Sequence, residues 1–271
     1  MNRIDERFAK VKADGRKALI TFLTVGDPNM EVSEKAIYTM QEEGVDLIEL
    51  GVPFSDPAAD GPVIQRADER ALAQGVDIFK VFELVRKIRN NVEVPMVFLL
   101  YYNVMVQYGI EKFFKRCQET GVDGLIIPDL PYEESDEIKE YTEKYGVYQI
   151  SLVSPTSKDR IKNIAKDAKG FLYCISSLGV TGEKSSFVTN FDEFVGTIKK
   201  YTDVPACVGF GVSNGEQVKE LTKYFDGAIV GSAIVKSIAT GESVEERINN
   251  LRAKIKDLKS GYKAYLIYTV F

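Results

Sequence analysis

Short apolar runs alternate with longer amphipathic segments along the whole chain. The runs are Ala18–Val25, Asp46–Leu50, Pro95–Tyr101, Gly124–Asp129, Tyr148–Val153, Phe171–Ser176, Pro205–Gly211 and Gly227–Gly231. They are near-continuous in valine, isoleucine, leucine and phenylalanine, which predicts parallel strands covered on both faces. Between them, apolar positions recur with helical spacing. This predicts helices over roughly Met30–Glu43, Val63–Arg89 with a break near Gly75, Ile110–Thr120, Glu133–Tyr145, Lys158–Ala168, Phe191–Lys200, Glu216–Tyr224 and Val244–Lys259. Strand–helix alternation demands crossover connections. Eight such units predict an α/β fold, a single (β/α)8 TIM barrel over residues 1–271. An extra N-terminal helix, Arg3–Lys12, is expected to cover the bottom of the barrel. A weak internal echo joins helix ends to strands at Glu43-Gly44-Val45-Asp46, Thr120-Gly121-Val122-Asp123 and Tyr224-Phe225-Asp226-Gly227. Glycine there is a natural helix C-cap.

Composition narrows the function classes. A net charge of −5 argues against a nucleic-acid surface. No apolar stretch is long enough to span a bilayer. The segment Met1–Phe8 is charged and lacks the apolar core of a signal peptide, so a cytoplasmic location is expected. Cys117, Cys174 and Cys207 are odd in number and lie in apolar contexts, as buried free thiols do. The histidine count is zero, which removes Ser-His and Cys-His pairs and histidine-based metal sites. No metal site is expected, and acid/base work falls to carboxylates, lysine or tyrosine.

Barrel active sites lie at the C-terminal ends of the strands. The densest chemistry at such an end is the segment from Glu49 to Pro62. The apolar strand ends in a carboxylate, Glu49. An irregular loop with prolines and aspartates then presents Asp60. Leu47 and Glu49 share one side of their strand by period two, so Glu49 sits at the upper mouth if that side faces inward. A strand-end acid facing a loop acid suits general acid/base chemistry. Taken alone, the segment also fits a surface glutamate followed by turn-forming aspartates. The same rule selects Phe22, Leu100, Tyr102, Asp129 and Tyr173 at other strand ends.

Gly209-Phe210-Gly211 follows the seventh strand, and Gly231-Ser232-Ala233 follows the eighth and opens a short helix. Phosphate sites in these barrels are frequently built from these two loops. Glycines let backbone N–H groups approach the anion, and Ser232 can cap the helix and donate to phosphate. Ordinary strand–helix turns also favour glycine. The long polar loop from Ser176 to Ser186 suits a mobile lid, with Thr181 and Gly182 at its centre.

These motifs converge. Phe22-Leu23-Thr24-Val25-Gly26-Asp27-Pro28, Glu49-Leu50-Gly51-Val52-Pro53-Phe54-Ser55-Asp56-Pro57 with Ala59-Asp60-Gly61-Pro62, Pro128-Asp129-Leu130-Pro131, Gly179-Val180-Thr181-Gly182, Gly209-Phe210-Gly211 and Gly231-Ser232-Ala233 resemble the tryptophan synthase α-subunit family over nearly the full chain. Ala58 stands where leucine is more usual, and Val25 where alanine is; neither supplies a catalytic group. The apolar tail Tyr265–Phe271 has no place in the pattern.

The resemblance implies a carbon–carbon lyase of tryptophan biosynthesis, cleaving indole-3-glycerol phosphate to indole and glyceraldehyde 3-phosphate. It implies Glu49 as the acid and base, with Asp60 at the indole N–H. Phe22, Leu100, Tyr102, Tyr173 and Thr181 would line the substrate pocket. Gly182, Phe210, Gly211, Gly231 and Ser232 would hold phosphate. The partner implied is a β subunit in an αββα heterotetramer, docking at Pro53, Asp56 and Pro57. Pyridoxal phosphate is expected on that β subunit only, and no cofactor on this chain. An apolar indole pocket should keep Glu49 protonated, and the polar loop should keep Asp60 ionised.

Competing readings remain on the same barrel. A Schiff-base aldolase needs a strand-end lysine, which no predicted strand carries. A metal-dependent sugar-phosphate epimerase is disfavoured by the missing histidines. A degenerate regulatory subunit is disfavoured by the intact acids. A stand-alone indole-3-glycerol phosphate lyase, or another phosphate-binding barrel lyase or isomerase, stays open.

Overall fold

The computed structural model describes residues 1–157, 159–175, 190–209 and 211–262. Its strands are β1 (Ala18–Thr24), β2 (Leu47–Gly51), β3 (Met96–Leu99), β4 (Gly124–Ile126), β5 (Tyr148–Gln149), β6 (Leu152–Val153), β7 (Leu172–Ile175), β8 (Ala206–Gly209) and β9 (Gly227–Val230). All pair in parallel, in the order β5-β4-β3-β2-β1-β9-β8-β7-β6. The two ends of this sheet, β5 and β6, are successive parts of one segment that the sequence predicts as a single strand. One part pairs with β4 and the next with β7, so the sheet comes round on itself.

The helices are α1 (Arg3–Ala13), α2 (Met30–Glu42), α3 (Pro62–Ala73), α4 (Ile78–Ile88), α5 (Tyr102–Tyr108), α6 (Ile110–Thr120), α7 (Asp136–Tyr145), α8 (Arg160–Asp167), α9 (Phe191–Lys199), α10 (Gly215–Leu221), α11 (Ser232–Ala239) and α12 (Val244–Ser260). The long helix expected over Val63–Arg89 is two, α3 and α4. They part at Gly75, whose φ of +67° favours glycine, and Asp77 caps α4 by accepting from the Lys80 N–H at 2.9 Å. Helix α5 has no counterpart in the sequence-based expectation.

Two apolar layers result. Outward residues of the strands, such as Leu19, Ile48, Leu50, Phe98 and Leu125, pack with helix residues such as Ile37, Met40, Phe82 and Phe113. Inward residues Ile20, Leu47, Val97, Ile126, Ile150 and Ile229 form the barrel interior. Ile4, Phe8 and Val11 of α1 join that interior, so α1 closes its lower end as expected. The internal echo acquires a physical meaning here. Asp46, Asp123 and Asp226 each accept a backbone N–H from a neighbouring strand, of Leu19, Met96 and Ala206, at 2.9–3.0 Å. Basic side chains answer their charge: Arg16 at Asp46, Arg3 and Arg89 at Asp123, and Lys199 at Asp226. The lower rim is thus held by paired charges, which leaves the upper rim for chemistry.

Candidate active site

β2 carries Glu49 two residues above Leu47, on the inward side. In the ladder Glu49 lies level with Phe22 of β1 and Val97 of β3. It is 1% exposed, and among the described residues its Oε1 has no hydrogen-bond partner. Burial without a compensating donor disfavours the charged form. It pushes the Glu49 carboxyl up to about 8, so the group is an acid at neutral pH.

Two glycines admit aromatic rings beside it. A methyl group at Gly51 would stand 2.5 Å from Phe22 Cζ, and one at Gly209 would stand 2.6 Å from the Tyr173 hydroxyl. Each ring therefore occupies the space that a side chain would need. Phe22 packs with Ile64, Ala67, Val235 and Leu99 into an apolar wall. Burial raises the Tyr173 phenol well above its ordinary value, and the nearby Glu49 and Asp60 carboxylates raise it further. Tyr173 is therefore a neutral hydroxyl within electrostatic reach of both acids.

Asp60 reaches the mouth from the loop between β2 and α3. The Tyr101 hydroxyl donates to Asp60 Oδ2 at 2.8 Å and accepts the Ala59 N–H at 2.9 Å. Phe54 stacks on the Tyr101 ring, 4.9 Å between centroids at 22°. The sequence predicts a polar loop that keeps Asp60 ionised. Burial pushes the Asp60 carboxyl up, and the Tyr101 hydrogen bond works against that rise. The two acids differ in partner: Asp60 has a fixed donor, and Glu49 has none among the described residues.

The structure does not bring every expected residue to this point. Leu100 is fully buried in the layer between sheet and helices, while Leu99 shares the wall with Phe22. Tyr102 opens α5 and its hydroxyl donates to Glu137 at 2.6 Å. Its backbone N–H donates to Asp129, which thereby serves as a helix cap. Pro53, expected at a docking surface, is buried within the chain, whereas Asp56 is exposed and Pro57 half-buried. Gly211 has a φ of +75°, and Gly231 precedes Ser232 at the start of α11. A methyl at Gly231 would lie 3.7 Å from Phe22 Cβ, so this helix start adjoins the same wall. Helix geometry leaves its first N–H groups without intrahelical acceptors, ready for an anion. Thr181, Gly182 and Phe210 lie outside the described residues.

Two residues of this region are absent from the sequence-based expectation, Tyr101 and Asp68. Each carried a signal. Tyr101 continues the period-two alternation of inward Val97 and Leu99. Asp68 stands in the buried stripe Ile64, Ala67, Asp68 and Ala71 of α3, where a charge is out of place. Among the described residues no cluster of three metal-ligating side chains occurs, and no helix is long and apolar enough to cross a membrane.

The sequence profile of the family described as "Tryptophan synthase alpha chain" matches residues 8–263. The chain belongs to the tryptophan synthase alpha chain family. It is 48% identical over 259 residues to the tryptophan synthase alpha chain of Thermoanaerobacter sp. (strain X514), covering 96% of this chain and 99% of that one. It is 47% identical over 238 residues to that of Methanocaldococcus jannaschii, covering 87% and 84%. A solved tryptophan synthase structure from M. tuberculosis superposes with a TM-score of 0.86 at 33% identity, covering 97% of this chain and 99% of that chain. Membership in the tryptophan synthase alpha chain family makes the protein a lyase of tryptophan biosynthesis that cleaves indole-3-glycerol phosphate. This family works with a beta subunit.

Proposed function

We propose that Glu49 and Asp60 divide the retro-aldol cleavage of indole-3-glycerol phosphate between them. The observation that carries this is the isolated Glu49 carboxyl, held protonated by burial at the end of an inward strand face. Protonated Glu49 delivers its proton to the indole ring carbon that bears the side chain. The positive charge that develops at the indole nitrogen is stabilised by Asp60, which accepts the ring N–H. The Glu49 carboxylate then takes the proton of the substrate hydroxyl as the carbon–carbon bond breaks. The bonding pair returns to the ring, indole and glyceraldehyde 3-phosphate leave, and Glu49 ends protonated as it began. Phe22 and its apolar neighbours suit an indole ring, and the start of α11 with Gly211 suits the phosphate.

This route asks for no electron sink beyond the indole nitrogen, so no cofactor is assigned to this chain. Pyridoxal phosphate belongs, in this reading, to the β subunit, and the assembly is an αββα heterotetramer. The exposed Asp56 stands in the same loop as Asp60, so a subunit docked there acts on Asp60 without touching substrate. Three buried free thiols fit a reducing compartment, the cytoplasm. The test is steady-state indole release by the chain alone and with added β subunit, with sedimentation to give the stoichiometry. The β subunit should raise the rate, and Asp56→Ala should weaken that activation more than the basal rate. A chain that is fast alone and indifferent to the β subunit is an autonomous lyase instead.

A further inference from the structure

The loop that carries Asp60 is held by the Gln65 amide, which donates to the Asp60 carbonyl at 2.8 Å, and at two further points. At one, the Tyr101 hydroxyl is fixed between the Ala59 N–H and Asp60 Oδ2, at 2.9 and 2.8 Å. At the other, the Phe54 backbone N–H lies close enough to the Asp68 carboxylate of α3 to favour its charged form. The two points are joined by the Phe54 ring, which stacks on the Tyr101 ring. Asp68 is 5% exposed and also accepts from Thr24 Oγ1 of β1 at 3.3 Å. Its helix is anchored two residues on, where Arg70 forks onto Asp27 with bonds of 2.6 and 2.9 Å.

We infer that Tyr101 and Asp68 are positioning residues for Asp60: the Tyr101 hydroxyl aims its carboxylate, and Asp68, through Phe54, holds the ring that keeps Tyr101 in place. The inference rests on the role proposed above for Asp60. Tyr101 suits its part because burial and the Asp60 hydrogen bond raise its phenol far above neutral pH, so it stays a donor. A hydroxyl aimed at a carboxylate that must accept an N–H fixes which oxygen remains for the substrate.

Asp68 adds a dependence on pH. The charged groups that act on it are Asp60 in the loop and Asp27 after β1, both of which disfavour its ionised form. Arg70 is committed to Asp27, and Lys236 of α11, which also packs on α3, is exposed. Burial first, and Asp60 second, push Asp68 up to about 7, against the Thr24 hydrogen bond and the nearby Phe54 N–H. Below that pH Asp68 is neutral. Above it Asp68 ionises, and its negative charge pushes on Asp60 and on the loop between them.

The test uses the full chain with its β subunit and follows indole release between pH 6 and 8. Tyr101→Phe keeps the ring and its stack on Phe54. It should lower kcat about tenfold, the scale of one hydrogen bond to a charged group, with a smaller change in KM. Asp60→Asn should lower kcat more, and adding Tyr101→Phe to it should cost nothing further. Asp68→Asn keeps an acceptor but cannot ionise, so its kcat/KM relative to the wild type should rise from pH 6 to pH 8. Asp68→Ala should lose more kcat than Asp68→Asn at pH 6, and thermal unfolding separates that loss from misfolding. Full additivity of Tyr101→Phe and Asp60→Asn, wild-type kcat in Tyr101→Phe, or a relative kcat/KM of Asp68→Asn that stays flat or falls overturns the inference. If Asp60→Asn itself leaves kcat unchanged, it is the proposed role of Asp60 that fails.

Discussion

Glu49→Gln keeps the volume of the side chain and removes its ability to move a proton. Its consequences for activity and stability have different signatures. In the folded chain the carboxyl is pushed from its ordinary value of 4.5 up to about 8, with burial as the cause. At about 1.4 kcal/mol for each tenfold change in proton affinity, this corresponds to about 5 kcal/mol favouring the protonated folded form. The sign is that of a carboxyl that holds its proton more tightly when folded. The contribution is complete below about pH 4.5 and is lost progressively as pH rises toward 8. Glutamine at this position does not titrate. The stability of the wild type minus that of the variant should therefore fall by several kcal/mol between pH 5 and pH 8, as measured by urea denaturation at each pH. Asp60 and Asp68, which are also pushed up, titrate in both proteins and largely cancel in the difference. Indole release by the variant should fall about 10²–10⁴-fold, the usual scale for a general acid/base. Wild-type kcat/KM should decline above about pH 8, where the free chain loses the proton that it must deliver. A stability difference indifferent to pH would show that Glu49 is not buried as an acid. Wild-type turnover in the variant would remove it from the mechanism.

Gly51→Ala places a methyl 2.5 Å from the Phe22 ring, so the wall must shift, and kcat/KM should drop about 10–100-fold, the scale of a misplaced substrate. Asp123→Ala removes the charge partner of the exposed Arg3 and the nearly buried Arg89 and frees the Met96 N–H, so the urea midpoint should fall by the equivalent of about 3 kcal/mol, with kcat of the folded protein little changed. Indole release should survive both a chelator and borohydride added with substrate; loss under the first would call for a metal, and loss under the second for a Schiff-base lysine.

Most of the barrel could be read from hydrophobic pattern because its strands are buried on both faces. Ala18–Thr24 is buried at every position, and such runs stand out. The pattern failed where tertiary pairing decides. The segment Tyr148–Val153 reads as one strand, yet its two parts pair with different neighbours. Glu49 was legible because period two places it on the side of Leu47. The same period, carried from Val97 through Leu99, leads to Tyr101. The expected residues were instead Leu100 and Tyr102, one step out of phase, and these turn to the outer layer and to Glu137. The raised carboxyl of Asp60 was not legible. Its loop is polar in sequence, but the Tyr101 ring that stacks on Phe54 and bonds Asp60 comes from the far side of β3.

The placement of the two acids also separates what is rigid from what can be adjusted. Glu49 belongs to β2, whose backbone is paired with β1 on one side and β3 on the other, so it cannot shift without the barrel. Asp60 hangs in a loop that is held by the Tyr101 hydroxyl, the Phe54–Tyr101 stack and the Gln65 amide on the Asp60 carbonyl. Such contacts are worth about 1 kcal/mol or a little more each. A docking surface that engages the exposed Asp56 needs only a few kcal/mol of differential binding to reset that loop, while the strand acid stays in place. Control by a partner is therefore expected to act on the charge at the indole nitrogen, through Asp60, and not on the proton donor.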